Sequence, residues 1–181
     1  ASENQLTNIL FAPDASLLFL YCNENLLQNL DTRYLQDLLL LNCGNNQISD
    51  LNLQNMISLE DLNCQNNLLT ELDVSHSPSL IWLYCNSNFL SELDLSSNPL
   101  MEQINVSDMF SLEQLCVWDL PFPTASIVNF YTTGSPNVYF DTLCGNNQVY
   151  IPDENFFNAL IEEGVDGNAD GLIFYNEADT I

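Results

Sequence analysis

The stretch that decides the fold is residues 59–74, which read L-E-D-L-N-C-Q-N-N-L-L-T-E-L-D-V. Residues 80–95, L-I-W-L-Y-C-N-S-N-F-L-S-E-L-D-L, repeat it 21 positions later. The shared unit is L-x-x-L-x-C-x-x-N-x-L-x-x-L-x-[LVTF], with Ile48 in place of the third leucine in one copy. Its cysteine recurs every 21 residues as Cys22, Cys43, Cys64 and Cys85. A period in the twenties predicts a solenoid, in which stacked turns share one continuous core.

The alternation before each cysteine is typical of a strand, which sends every second side chain to the same face. We therefore expect the leucines and cysteines to point into the core, where each cysteine acts as a small hydrophobic residue and stays reduced. The asparagine three residues later is polar, so its burial requires hydrogen bonds between its amide and the backbone. These residues are predicted to form a second, structural ladder: Asn4, Asn25, Asn46, Asn67 and Asn88.

The composition excludes several functions. The 181 residues include 25 acidic side chains and a single basic one, Arg33, which gives a formal net charge of −24. Such a surface repels nucleic acid and anionic membranes, and the absence of lysine removes Schiff-base chemistry. No run approaches the ~20 apolar residues of a membrane span. Because 46% of the residues are hydrophobic and regularly spaced, the chain is expected to fold rather than to be disordered.

The repeat resembles the 21-residue cysteine-ladder leucine-rich repeats of bacterial surface proteins of the internalin-like type, over residues 1 to about 120. The resemblance implies an α/β solenoid, a right-handed superhelix with a parallel sheet on its concave side. We expect leucine-rich repeats over 1–110, starting in the middle of a repeat, and a C-terminal cap over 111–150. A small helical EF-hand-like module is expected over 151–181, as the start of a further array.

The predicted cap begins where the motif restarts at Leu112, after 11 residues instead of 21. A short helix is predicted over 124–133 and a strand over 138–140. Cys116 lies outside the ladder register. Since a cysteine pair is common in the caps of such arrays, the resemblance implies a disulfide between Cys116 and Cys144. Two free thiols are the alternative, because the sequence does not establish connectivity.

Residues 166–177 read D-G-N-A-D-G-L-I-F-Y-N-E and match the EF-hand loop D-x-[DN]-x-[DN]-G-x5-E at each required position. A helix capped by Asp153 and ended by Gly164 is predicted before this loop. The spacing supplies the several oxygen ligands that calcium prefers. The predicted ligands are Asp166, Asn168, Asp170, Leu172, Phe174 and Glu177. An acidic turn without a metal is the alternative.

Aromatic side chains occupy outward positions of the predicted concave strands. The candidate ligand-binding residues are Phe19, Tyr21, Trp82 and Tyr84. Exposed aromatic groups on a sheet are unusual unless something covers them. We therefore predict that a rigid concave face binds a protein or glycan ligand. Packing against a flanking domain of the same full-length chain is the alternative.

No catalytic residues are indicated. His76 is the only histidine and lies in an outward S-H-S turn, and no pair of acids is singled out, since Asp31, Asp73 and Asp94 fall at equivalent repeat positions. The sequence predicts a non-catalytic, ligand-binding or adhesive segment of a large bacterial protein that is secreted or anchored at the cell surface. It predicts neither nucleic-acid binding nor membrane insertion. The alternative is a structural or accessory module of a multidomain extracellular enzyme.

Overall fold

The chain folds into a parallel β-solenoid of about six turns, in a computed structural model. The structure describes residues 2–13, 15–120, 122–123, 127, 129–135, 138–142 and 154–165. The described strands are β1 (Phe19–Tyr21), β2 (Leu40–Asn42), β3 (Asp61–Asn63), β4 (Trp82–Tyr84), β5 (Glu92–Asp94), β6 (Gln103–Asn105), β7 (Gln114–Cys116), β8 (Asn129–Tyr131) and β9 (Tyr139–Asp141), and the helix is α1 (Glu154–Glu162). The solenoid and α1 belong to separate compact units, divided after Thr142.

The strands form two parallel sheets. The larger has six strands in the order β1-β2-β3-β4-β6-β8, and the smaller has three in the order β5-β7-β9. The middle residue of each strand in the larger sheet points inward, and these residues stack in register: Leu20, Leu41, Leu62, Leu83, Ile104 and Phe130. The parallel solenoid predicted from the 21-residue period is confirmed, because one turn of chain separates successive strands of this sheet.

The cysteine ladder lies in the core, as predicted. Cys22, Cys43, Cys64 and Cys85 are fully buried and carry free thiols. Their backbones continue the hydrogen bonding of the larger sheet, since the amide of Cys43 donates to the carbonyl of Asn63 at 2.8 Å and the amide of Cys64 donates to that of Tyr84 at 2.9 Å. Burial raises the pKa of the Cys22 thiol to about 11 and that of Cys85 to about 12. These thiols are therefore neutral packing groups.

From Asn46 to Asn88 the asparagine ladder joins each turn to the one before it, whereas Asn4, predicted as a member, is exposed and its side-chain amide donates to the carbonyl of Ser2 at 2.6 Å. The side-chain amide of Asn67 donates to the carbonyl of Cys64 in its own turn at 3.0 Å and to that of Cys43 in the preceding turn at 3.1 Å. Its side-chain oxygen accepts the amide of Ile48 at 2.9 Å. Asn88 makes the equivalent contacts, so the cost of burying each amide is offset by bonds across two turns.

The smaller sheet corrects the interpretation of the segment around Leu112. Leu93 of β5 pairs with Leu115 of β7, so this segment repeats the second half of the preceding unit rather than a first half after a shortened turn. Both halves of the unit contain L-x-x-L-x, and spacing alone does not distinguish them. The pairing of β7 with β5 of the neighbouring turn distinguishes them.

The predicted helix over 124–133 is wrong at Asn129–Tyr131, which form β8 beside β6. The Phe130 ring packs edge-on against Phe122 at a centroid distance of 5.3 Å and against Phe140 at 5.7 Å. This aromatic cluster and the pairing with β6 outweigh the local signal for a helix. Residues 124–126 and 128 lie outside the described residues, and the strand predicted over 138–140 is confirmed by β9.

The solenoid contains less helix than an α/β description implies. Within residues 15–120 the return segments are turns and short strands. Leu93 and Leu95 are buried while Glu92 and Asp94 are exposed, and this period of two is that of a strand. The described helix is α1, which ends at Glu162. Gly164 terminates it as predicted, since its φ is +83° and the amide of Val165 donates to the carbonyl of Leu160 at 3.1 Å.

Candidate binding face of the six-stranded sheet

The outward side chains of the larger sheet form two rows, which we call the sheet face. The first row contains the leading residue of each strand: Phe19, Leu40, Asp61, Trp82, Gln103 and Asn129. The second row contains the last residue of each strand: Tyr21, Asn42, Asn63, Tyr84, Asn105 and Tyr131. Because paired strands lie ~4.8 Å apart, successive side chains in each row are direct neighbours.

Aromatic groups stand on β1 and β8, at the two ends of the sheet face, and on β4 between them. Phe19 is 56% exposed and Tyr21 is 48% exposed on β1, while Trp82 on β4 is 37% exposed and Tyr131 on β8 is 44% exposed. Tyr84 is half-buried. The structure therefore places the four residues predicted from sequence on one surface, in two groups separated by the width of three strand spacings, or roughly 14 Å.

A polar network connects β4, β6 and β8. The Tyr131 hydroxyl donates to Asn129 Oδ1 at 3.3 Å, and Asn129 Nδ2 donates to Gln103 Oε1 at 3.4 Å. Gln103 is also a hydrogen-bond partner of Tyr84. Burial raises the pKa of the Tyr84 hydroxyl, and the nearby charge of Asp61 raises it further. This network positions the ring of Tyr84 before any ligand arrives.

Asp61 carries a carboxylate in the middle of the sheet face. It is half-buried between Leu40 and Trp82 in its row, and this burial raises its pKa above the ordinary value. The only basic residue of the chain, Arg33, pairs instead with Asp31, with Nε 2.8 Å from Oδ1. Neither a lysine nor a second arginine is present to neutralise Asp61.

Sequence reasoning missed part of this site. The sequence predicts a helix at Tyr131 and therefore does not place it on the sheet face. Only the pairing of β8 with β6 shows that Tyr131 belongs there, and no local sequence feature indicates this pairing. Asp61, Gln103 and Asn129 are polar members of the same rows. Asp61 and Gln103 stand at the repeat position of Trp82, so the sequence places both on the outward side, although it does not single them out as binding residues.

The one histidine lies in an acidic turn outside the sheet face. His76 Nδ1 is 3.2 Å from Ser75 Oγ and 3.5 Å from Asp73 Oδ2, and Ser75 Oγ also donates to Asp73 Oδ1 at 2.6 Å. Serine and aspartate thus meet the same ring nitrogen. A proton relay requires them on opposite nitrogens, so this exposed cluster lacks the geometry of a catalytic triad.

The described residues contain no group of histidine, cysteine or acidic side chains that could hold a metal ion. The predicted calcium ligands, Asp166, Asn168, Asp170, Leu172, Phe174 and Glu177, lie outside the described residues, as does Cys144. Cys116 is buried at the end of β7 and is disulfide-bonded. No helix among the described residues is long and apolar enough to cross a membrane.

The stacked repeats, the two ladders and the parallel sheet define a leucine-rich-repeat fold with a cysteine ladder. A functional domain of InlJ from Listeria monocytogenes, itself with a cysteine ladder, is 31% identical, with a TM-score of 0.62, over 76% of this chain and 29% of that one. YopM, a leucine-rich effector protein from Yersinia pestis, is 28% identical, with a TM-score of 0.56, over 77% of this chain and 43% of that one.

The chain thus spans less than half the length of either structure. No protein-family profile matches the chain. No curated protein matches it either.

Proposed function

We propose that this chain is a binding segment whose sheet face holds a protein partner, within an adhesive or otherwise ligand-binding bacterial protein. The observation that carries the proposal is the in-register exposure of aromatic side chains on one face: Phe19, Tyr21, Trp82 and Tyr131. Tryptophan and tyrosine supply much of the binding energy in protein interfaces, because they bury a large area with few rotatable bonds.

The rigidity of the face supports the same proposal. Each outward side chain is carried on a strand whose inward hydrophobic residue packs in the core or against it, and ladder asparagines such as Asn67 join neighbouring turns. A surface ordered before binding loses little conformational entropy when a partner arrives. The solenoid therefore acts as a preformed template.

The charge of the chain favours a protein with a basic surface. The formal net charge is −24, and complementary charge accelerates encounter and disfavours acidic partners. A neutral glycan would stack on the same aromatic rings but would gain nothing from this charge. We therefore place a protein ahead of a glycan.

A secreted or surface-attached location is part of the proposal. It is supported by the likeness to the cysteine-ladder domain from Listeria monocytogenes and to the effector from Yersinia pestis. In the same setting we propose that residues 166–177 bind calcium, on the strength of the complete loop motif, and that Cys116 pairs with Cys144.

The test is a binding screen of the immobilised chain against purified extracellular-matrix and cell-surface proteins and a glycan array. For any protein that binds, the double variant Trp82→Ala and Tyr84→Ala should weaken binding by about 100-fold or more, as expected for two central aromatic contacts. The matched control, Phe89→Ala with Phe110→Ala, removes two exposed rings that lie off the sheet face and should change binding less than about threefold.

Thermal unfolding of both double variants distinguishes lost binding from lost folding. Undiminished binding by the Trp82 and Tyr84 variant would overturn the proposed function. Binding confined to the glycan array would replace the protein partner with a carbohydrate one.

A further inference from the structure

We infer that Asp61, Trp82 and Tyr84 form a subsite for the guanidinium group of an arginine on the partner protein. This inference rests on the proposed function of the sheet face and names the chemistry that the face recognises. The three residues lie on the adjacent strands β3 and β4, with Asp61 directly opposite Trp82 and diagonal to Tyr84.

Asp61 supplies a charge that lacks a cation within the chain. Its carboxylate is half-buried, so it has lost part of its hydration, and a hydrogen bond with a cation would compensate for this loss. The only arginine of the chain is already paired with Asp31, on the return segment of a different turn. A cation for Asp61 must therefore come from outside these 181 residues.

The neighbours of Asp61 favour a planar cation. Its partners in the row are Leu40 and Trp82, an apolar side chain on one side and an indole on the other. The backbones of β3 and β4 lie ~4.8 Å apart, so a cation bonded to the carboxylate of Asp61 can reach the neighbouring indole, for which a cation–π contact extends to ~6 Å. Guanidinium can stack on a ring while donating two parallel hydrogen bonds to a carboxylate, and an ammonium group cannot.

Tyr84 closes the third side. Its hydroxyl lies near enough for the charge of Asp61 to act on it, and the hydrogen bond with Gln103 holds it there. The hydroxyl is both a donor and an acceptor, so it can accept one of the guanidinium N–H groups left over after the pairing with Asp61.

The net charge of −24 attracts any cation, and the test must separate the subsite from this general attraction. The probe is a short blocked peptide with one arginine, compared with the same peptide carrying citrulline, its neutral isostere. Binding to the full chain is followed by NMR through the indole N–H signal of Trp82, which is assigned with Trp82→Phe.

Asp61→Asn and Asp94→Asn are the matched variants. Each removes one negative charge, but Asp94 lies on β5 of the smaller sheet. We expect the arginine peptide to shift the Trp82 signal, the citrulline peptide to bind at least 10-fold more weakly, Asp61→Asn to weaken arginine binding at least 10-fold, and Asp94→Asn to change it less than twofold.

Equal losses in the two aspartate variants, or equal binding of the arginine and citrulline peptides, would overturn the subsite. The proposed function is decided separately. If the Trp82 and Tyr84 variant abolishes partner binding while Asp61→Asn behaves like Asp94→Asn, the sheet face is a binding surface and the arginine subsite is wrong. If the affinity for the partner is unchanged in the sheet-face variants, the proposed function is wrong, regardless of the result with the peptides.

Discussion

At the scale of single residues, one position in each repeat adopts a left-handed backbone. It directly precedes the position of the ladder asparagine, and its φ is 55° in Glu24, 55° in Asn45, 51° in Asn66, 56° in Ser87 and 54° in Asp108. Residues other than glycine rarely adopt this conformation, and asparagine tolerates it better than most. The left-handed residue between the larger sheet and the asparagine ladder therefore costs more conformational free energy in repeats where it is not asparagine.

Ser87→Asn should stabilise the protein, because it places at this repeat the residue that Asn45 and Asn66 already provide. We expect the free energy of unfolding to rise by about 0.5 kcal/mol, a fraction of the ~1–2 kcal/mol cost of the left-handed region. Urea unfolding measures the change. The amide of Ser87 donates to the carbonyl of Ser107 at 2.9 Å, and the substitution leaves this bond in place.

Ser87→Val is the control, since a β-branched side chain is strained at positive φ and should lower the free energy of unfolding by about 1 kcal/mol or more. If asparagine and valine gave the same stability, the backbone conformation at this position would not be what limits the turn.

At the scale of the repeated element, the cysteine ladder stacks four thiols in neighbouring turns. Burial is the main cause that raises the pKa of each, and for Cys43 the neighbouring Cys64 and Cys22 add to it. A thiolate in this ladder would lack both water and a cation. The stack is therefore stable only while its thiols are protonated.

Alkaline pH should destabilise the solenoid through this ladder. Below the ordinary thiol pKa of 9.0 both the folded and the unfolded state hold the protons, and stability does not change. Above it the unfolded chain releases protons that the folded chain retains, so the free energy of unfolding falls, by about 1.4 kcal/mol per pH unit for each thiol. The loss continues until the folded pKa is reached, about 11 for Cys22 and about 12 for Cys85.

Urea unfolding at pH 8 and pH 10, under reducing conditions, measures this loss. Tyrosines also titrate in this range, so Cys64→Ala is the control. It should be less stable at pH 8 but lose less stability between the two pH values than the wild type. The same loss in both proteins would exclude Cys64 as a source of the pH dependence.

At the scale of the whole molecule, acidic charge is almost unopposed. The 25 acidic residues face one arginine, so cations must be supplied by binding partners or by the solvent. On the sheet face we assign this role to a partner's arginine. In residues 166–177 we assign it to calcium.

One calcium ion should bind residues 166–177, because three carboxylates in one loop repel each other until a divalent cation is present: Asp166, Asp170 and Glu177. Isothermal titration should give one site with a Kd of roughly 0.1 to 1 mM, the range of extracellular modules. Hydrogen exchange should show protection gained over 151–181, while the solenoid, which has its own core, is unchanged.

Glu177→Gln removes the bidentate charge and should weaken calcium binding by about 10-fold or more. Asp94→Asn removes an equal charge from the solenoid and should leave the titration unchanged. If titration of the wild type with calcium produced no binding heat, or if both variants bound calcium equally well, residues 166–177 would be an acidic turn without a metal site.

The sequence by itself determined the stacking and the two ladders. The 21-residue spacing of Cys43 and Cys64 and the alternation around them are local properties, and the period of a strand and the need to satisfy a buried amide convert them directly into inward side chains and hydrogen bonds. The same alternation identified Trp82 and Tyr84 as outward residues. That is why four members of the sheet face were predictable without a structure.

Only the tertiary structure decided where the last turns pair and how far Asp61 is buried. The segment at Leu112 fits either half of the repeat, and the segment at Phe130 carries a helix signal, until pairing with β5 and β6 selects one arrangement. The 21-residue period places Asp61 at the same repeat position as Leu40 and Trp82, but only the structure shows that its carboxylate is half-buried between them. The register of the hydrogen bonds between turns determines which side chains are neighbours. The neighbours of a side chain in turn determine how far it is buried and which charges surround it.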